Sequence, residues 1–142
     1  MRTDRSGHIA GSLGAGMVLI IGGAYQGKLS YALKRFNLSK SDVYFCSDED
    51  TATPHGKKII CGLEKWLFAL AREDMDIGIY MEKFVASCEN AVVICDDISC
   101  GVVPVDVLLR KWREIVGRSL GAIAQNSDEV VRLFCGIPTR IK

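Results

Sequence analysis

The sequence predicts a three-layer α/β domain with a mainly parallel sheet and helices on both faces. Three observations carry that expectation. Short apolar runs recur at residues 18–21 (VLII), 43–46 (VYFC), 91–95 (AVVIC) and 130–135 (VVRLFC), as in strands buried on both faces of a parallel sheet. Stretches with apolar residues at helical spacing separate them, the alternation that builds α/β folds. The first run opens directly into a glycine turn closed by a lysine, with a helix-forming stretch behind it.

Taken in order, residues 1–16 hold three glycines in their last six positions and no apolar period. They read as a disordered leader, with Met17 as the natural first residue, because the first strand begins immediately after it. Residues 17–142 are then one domain, the usual length for a single core. After strand 18–21, residues 28–36 form a helix and 43–46 a second strand. An acidic, polar stretch from Ser47 to Thr53 ends at Pro54. Beyond Gly62, Leu63, Trp66, Leu67 and Leu70 mark one face of a helix. Asp76 caps another carrying Ile77, Tyr80, Met81, Phe84 and Val85. The strand at 91–95 ends in Asp96 and Asp97. Asp106 caps a long helix with Leu108, Trp112, Ile115, Leu120 and Ile123 inward. A strand at 130–135 and a fifth at 137–141 close the chain.

The glycine turn carries the chemistry. Gly22, Gly23, Ala24, Tyr25, Gln26, Gly27, Lys28 and Leu29 fit the phosphate-loop pattern G-x-x-x-x-G-K-[ST] at every position but the last. Glycines let successive N–H groups turn inward toward phosphate oxygens, and the following helix offers its positive end. Lys28 reaches the terminal phosphates as a point charge. Leu29 stands where the usual Mg²⁺-binding hydroxyl belongs, and Ser30 is one residue late, about 100° further round a helix. The domain is thus of the P-loop type, binding GTP or ATP, with Mg²⁺ as a possible cofactor. Ligands of open parallel sheets bind beyond the carboxyl ends of the strands, where Ser47, Asp96 and Asp97 also lie. The paired aspartates either hold Mg²⁺ through water, as hard oxygen donors, or cap the strand end and solvate the loop.

Composition narrows the class. The 18 Lys and Arg balance 17 Asp and Glu, which gives no electrostatic footprint for nucleic acid. No apolar run approaches the ~20 residues of a membrane span, and no signal peptide is evident. Six cysteines occur without a C-x-x-C pair, beside only two histidines. Buried or semi-buried free thiols in a reducing cytoplasm account for them better than zinc or disulfides.

The C-terminal half, VVICDDISCGVVPVDVLLRKWREIVGRSLGAIAQNSDEVVRLFCGIPTRIK, resembles the end of the adenosylcobinamide kinase/adenosylcobinamide-phosphate guanylyltransferase family of cobalamin biosynthesis. That family has a strand ending in T-N-E-V-G, then G-I-V-P, a helix with R-x-x-x-G-x-x-N-Q, and a closing S-G-x-x-x-x-x-K. Here Asp97 stands where the glutamate would, residues 101–104 match G-x-V-P, and Arg113 to Gly117 match R-x-x-x-G. The family's loop G-G-x-R-S-G-K-S fits residues 22–28 with Met17 as start. The likeness covers the first ~30 residues after Met17 and the last ~50, through the order of its motifs.

The resemblance implies phosphorylation of a cobinamide hydroxyl, then GMP transfer from GTP through a guanylated histidine. It also implies a homo-oligomer, dimer or trimer. The family's histidine-rich helix and its R-P-x-x-W-x-T-x-E stretch are largely missing: Glu64 matches the motif's glutamate, and His55, in a shortened proline-led loop, is the one histidine nearby. His55 is either the nucleophile or an ordinary surface histidine. The family's further strand and acidic segment also have no counterpart. Two readings follow: a kinase or nucleotidyltransferase of reduced activity, or a catalytically degenerate nucleotide-binding paralogue acting as regulator or partner subunit. The segment 63–85 carries more apolar surface than one sheet face needs, and association through it covers the excess, unless its two helices pack on opposite faces.

Overall fold

The computed structural model of the chain describes residues 16–98 and 104–142. Residues 1–15 of the expected leader, Cys100 and residues 101–103 of the G-x-V-P match lie outside the described residues. The elements run β1 (Val18–Gly22), α1 (Lys28–Phe36), β2 (Val43–Phe45), β3 (Ile59–Cys61), α2 (Leu63–Arg72), α3 (Ile77–Ser87), β4 (Val92–Asp96), α4 (Val107–Asn126), β5 (Glu129–Phe134) and β6 (Ile137–Arg140). They form one six-stranded sheet of order β2-β3-β4-β1-β5-β6, parallel throughout except for β6, which returns antiparallel to β5.

The alternation of side chains along the central strands splits the core in two. Leu19, Val93, Cys95 and Val130 face α2, α3 and α4, with Trp66, Leu67, Leu70, Met81, Phe84, Val116 and Ile123 buried against them. Val18, Ile20, Val92, Ile94, Val131 and Leu133 face α1, where Ala32 and Phe36 are buried. The expected three layers are present. Period-2 strands with apolar residues on both faces require helices on both sides.

Four features differ from the sequence reading or add to it. β3 was not anticipated. Its three residues follow Lys57 and Lys58 and are too short to stand out as a run; ladders with β2 and β4 on either side hold it. Cys135 is not the end of a buried strand but an exposed turn residue. Cys135 and Gly136 have φ of 51° and 75°, and they join Phe134 to Ile137 in a two-residue hairpin whose positive φ values match strand twist. The last strand is therefore antiparallel and exposed along its length. Finally, α2 and α3 pack on the same sheet face. Most of the apolar surface in 63–85 is covered within one chain: Trp66 tilts against Phe84 at 5.3 Å, and Phe68 meets Trp112 edge-on at 5.2 Å. Ile79 remains 51% exposed.

Candidate functional site

The turn between β1 and α1 is shaped by close backbone approach. A Cβ on Gly22 would sit 2.5 Å from the Leu133 carbonyl oxygen of β5, so only glycine fits there. Gly27 takes the left-handed conformation, φ 83°, immediately before α1, at little cost without a Cβ. The first turn of α1 holds no acidic residue, and Lys34 and Arg35 lie in its last turn. Its positive N-terminal end therefore faces the loop uncompensated.

Lys28 is only 6% exposed. Its Nζ donates to the Gly23 carbonyl at 2.6 Å and pairs with Asp96 Oδ1 at 2.6 Å. The β1–β4 register places Gly22 opposite Asp96, and the Asp97 N–H donates to the Gly22 carbonyl at 2.9 Å. The end of β4 thus closes on the loop. From the other side, the Cys135 N–H donates to Gln26 Oε1, and Gly136 Cα lies 3.9 Å from the Cβ position of Gly27. The β5–β6 hairpin braces the glycine loop. Sequence reasoning did not assign that role to Cys135; the signal was the C-G pair between two apolar runs, which is a hairpin turn candidate.

Glu64, at the start of α2, is 6% exposed. Its Oε1 accepts from the Asp96 N–H at 2.9 Å, and its backbone carbonyl accepts from Trp112 Nε1 at 2.8 Å. Burial raises its carboxyl above the usual range; the bond from the Asp96 N–H opposes that rise, and the nearby Asp96 carboxylate adds to it.

Two clefts meet at Glu64, Lys65 and Asp96. The first, about 450 Å³, runs from the glycine loop across the ends of β4, β3 and β2, past Ile94, Cys61 and Phe45. The second, about 400 Å³, is walled by Phe68, Trp112, Ile98 and Asp48. Burial pushes the Cys46 thiol up to about 12 and that of Cys61 to about 11, so both line the first cleft as neutral groups.

Residues 24–29, Glu64 and Asp96 therefore share one cleft, and Gly22 and Gly23 shape its loop. Asp97 is half-buried beside them. Ser47 and His55 stand apart. Ser47 is exposed, its Oγ accepting from the Glu49 N–H at 3.1 Å. His55 is exposed, its Nδ1 2.9 Å from the Thr53 carbonyl, and it lines neither cleft. Among the described residues, no group of three or more His, Cys, Asp or Glu is arranged to hold a metal ion, and no helix is long and apolar enough to cross a membrane.

A strand–glycine loop–helix unit with a buried lysine, set on a parallel sheet between helical layers, defines a P-loop-type α/β domain. Residues 59–141 match the cobinamide kinase/cobinamide phosphate guanyltransferase family, and the chain belongs to it. Over 83 residues it is 30% identical to the bifunctional adenosylcobalamin biosynthesis protein CobU of Salmonella typhimurium, a stretch covering 56% of this chain and 45% of that protein. The family match contains Glu64, Asp96 and Asp97 and begins after the glycine loop.

Proposed function

We propose that this chain binds a nucleoside triphosphate, GTP or ATP, with its phosphates on the loop at residues 22–28, and transfers a phosphoryl group to the hydroxyl of a corrinoid precursor, a cobinamide. The observation that carries this reading is the burial of Lys28 at the carboxyl end of β1, facing Gly23 and Asp96. A lysine is rarely buried without a charged partner, and here it lies beside the open N-terminus of α1, where an anion is favoured.

In the transfer, the acceptor hydroxyl oxygen bonds to the γ-phosphorus, and the bond from that phosphorus to the β–γ bridging oxygen breaks. The hydroxyl proton passes to Glu64, which stands where the two clefts meet and whose carboxyl is pushed above its usual range by burial, favouring the protonated form. The aromatic cleft of Phe68 and Trp112 takes the acceptor. Asp96 and Asp97 are the residues that would offer a hard divalent cation its carboxylate oxygens, while Leu29 offers none; Mg²⁺ held there would neutralise charge on the terminal phosphates.

A second reading is favoured by Leu29 and by the position of His55, which lines neither cleft. On that reading the guanylyl transfer is lost, and the chain binds nucleotide as a regulator or partner subunit. We also propose self-association into a dimer or trimer, which light scattering at micromolar concentration tests. Calorimetric titration with GTP and ATP, with and without Mg²⁺, followed by transfer of labelled γ-phosphate to cobinamide, separates the two functional readings. Binding with transfer supports the kinase, binding without transfer supports the paralogue, and no binding refutes both.

A further inference from the structure

Phe45 is the last residue of β2 and is 56% exposed. A single exposed apolar side chain needs no explanation in itself. This one, however, lines the cleft that contains Lys28, at the end opposite the glycine loop. β2 and β1 are separated by β3 and β4 in the sheet. Three strand spacings of about 4.8 Å set the two ends roughly 14 Å apart, the reach of an extended nucleotide from its terminal phosphates to its base. The rest of the cleft is lined by Cys46, Cys61, Gly62 and Ile94, small or apolar groups that leave room for a sugar, and by the charged side chains of Glu64, Lys65 and Asp96. The position of Phe45 is held by the strand: the Cys46 N–H just beyond it donates to the Cys61 carbonyl at 2.9 Å, and Phe45 pairs with Cys61 in the β2–β3 ladder. Tyr25 also lines the cleft and is fully exposed, but it belongs to the glycine loop, at the phosphate end.

We propose that Phe45 is the stacking platform for the nucleobase of the bound nucleotide. This rests on the nucleotide reading above and adds where the base lies. Ring-on-ring stacking is tolerant of base identity because every base has a π face. Phe45 accordingly contributes affinity for adenine and guanine nucleotides alike.

The test is calorimetric titration of the full chain with ATP, GTP and inorganic tripolyphosphate, using the parent, Phe45→Ala and Phe45→Trp. Because Phe45 is exposed, neither substitution disturbs the core, and circular dichroism checks that. Phe45→Ala should weaken ATP and GTP about tenfold, leave tripolyphosphate unchanged, and be rescued by Phe45→Trp. If Phe45→Ala binds ATP and GTP as tightly as the parent, the platform is overturned whatever tripolyphosphate does. If it weakens tripolyphosphate equally, the residue acts on the loop and the platform is again overturned. If tripolyphosphate fails to bind while ATP binds and loses affinity in Phe45→Ala, the platform stands and the phosphate-loop reading falls. If no nucleotide binds the parent, both fall.

Discussion

Lys28, the first residue of α1, and Asp96, at the carboxyl end of β4, form an ion pair of 2.6 Å. The lysine is buried and the aspartate about one-third exposed, so a ligand reaches the pair from the aspartate side. An incoming phosphate competes with Asp96 for the same ammonium, and an incoming cation competes with Lys28 for the same carboxylate.

The two partners should therefore respond oppositely to substitution. Lys28→Ala removes a charge-assisted hydrogen bond to the terminal phosphates, worth about 1.5–3 kcal/mol, and should weaken tripolyphosphate and ATP binding by roughly 10- to 100-fold. Asp96→Asn releases Lys28 and should tighten metal-free tripolyphosphate binding several-fold, while abolishing any gain from added Mg²⁺. Calorimetry in the presence and absence of Mg²⁺ measures both. Equal affinity of Lys28→Ala and the parent would reduce the loop to an ordinary turn.

Leu29 follows Lys28 on the first turn of α1 and lines the cleft. Replacing it with serine returns the hydroxyl that P-loops present to Mg²⁺. Leu29→Ser should make nucleotide affinity rise more steeply with Mg²⁺ than in the parent, and should raise cobinamide phosphorylation from a low level. Robust phosphorylation by the unmodified chain would instead show that Asp96 and Asp97 hold the metal unaided.

The glycine loop and most of the sheet that carries it are legible in the sequence. The spacing of Gly22, Gly27 and Lys28 marks the loop, and apolar runs mark β1, β2, β4 and β5, most clearly β1 and β4, which are buried on both faces, whereas β2 and β5 end in the exposed Phe45 and Phe134. What sequence could not show was pairing across distance. Asp96 was visible as a strand-end carboxylate, but only the β1–β4 register sets it opposite Gly22. The Gln26–Cys135 bond joins residues 109 positions apart, and it depends on a turn that reads as the tail of an apolar strand. β3 escaped notice because its stability comes from its two neighbours, not from its own three residues. His55 was conspicuous as a residue type, yet its loop carries it away from the cleft.

Gly22 tests the packing of the loop on the sheet. An alanine there places its Cβ 2.5 Å from the Leu133 carbonyl oxygen, a backbone atom inside the β1–β5 ladder that cannot rotate away. Gly22→Ala should cost about 1–3 kcal/mol, the usual range for overpacking, lower the melting temperature, and weaken tripolyphosphate binding by displacing the loop. Gly121 is exposed in α4 with open space at its Cβ position. Gly121→Ala should therefore be neutral or gain up to about 1 kcal/mol from helix propensity. Thermal melts of the two variants side by side would separate the collision from a general effect of losing a glycine.

Glu64 gives a pH signature. Its folded pKa is raised, chiefly by burial, with Asp96 adding to the rise. A carboxyl with a folded pKa above its unfolded value binds its proton more tightly in the native state. The stability this contributes is fully present below the unfolded value, near 4.5, and is lost as pH rises through the folded value. Once ionised, Glu64 is a buried carboxylate held by the Asp96 N–H but only partly compensated. Glu64→Gln keeps an oxygen for that hydrogen bond and removes the charge, so it should raise the melting temperature at pH 7–8 relative to the parent, with the difference shrinking toward pH 4.5. The same variant should lose phosphoryl transfer while retaining nucleotide binding, since it cannot take the acceptor's proton. A melting-temperature difference that does not change with pH would show that Glu64 is not desolvated as its burial indicates. Full transfer activity in Glu64→Gln would remove it from the proton path.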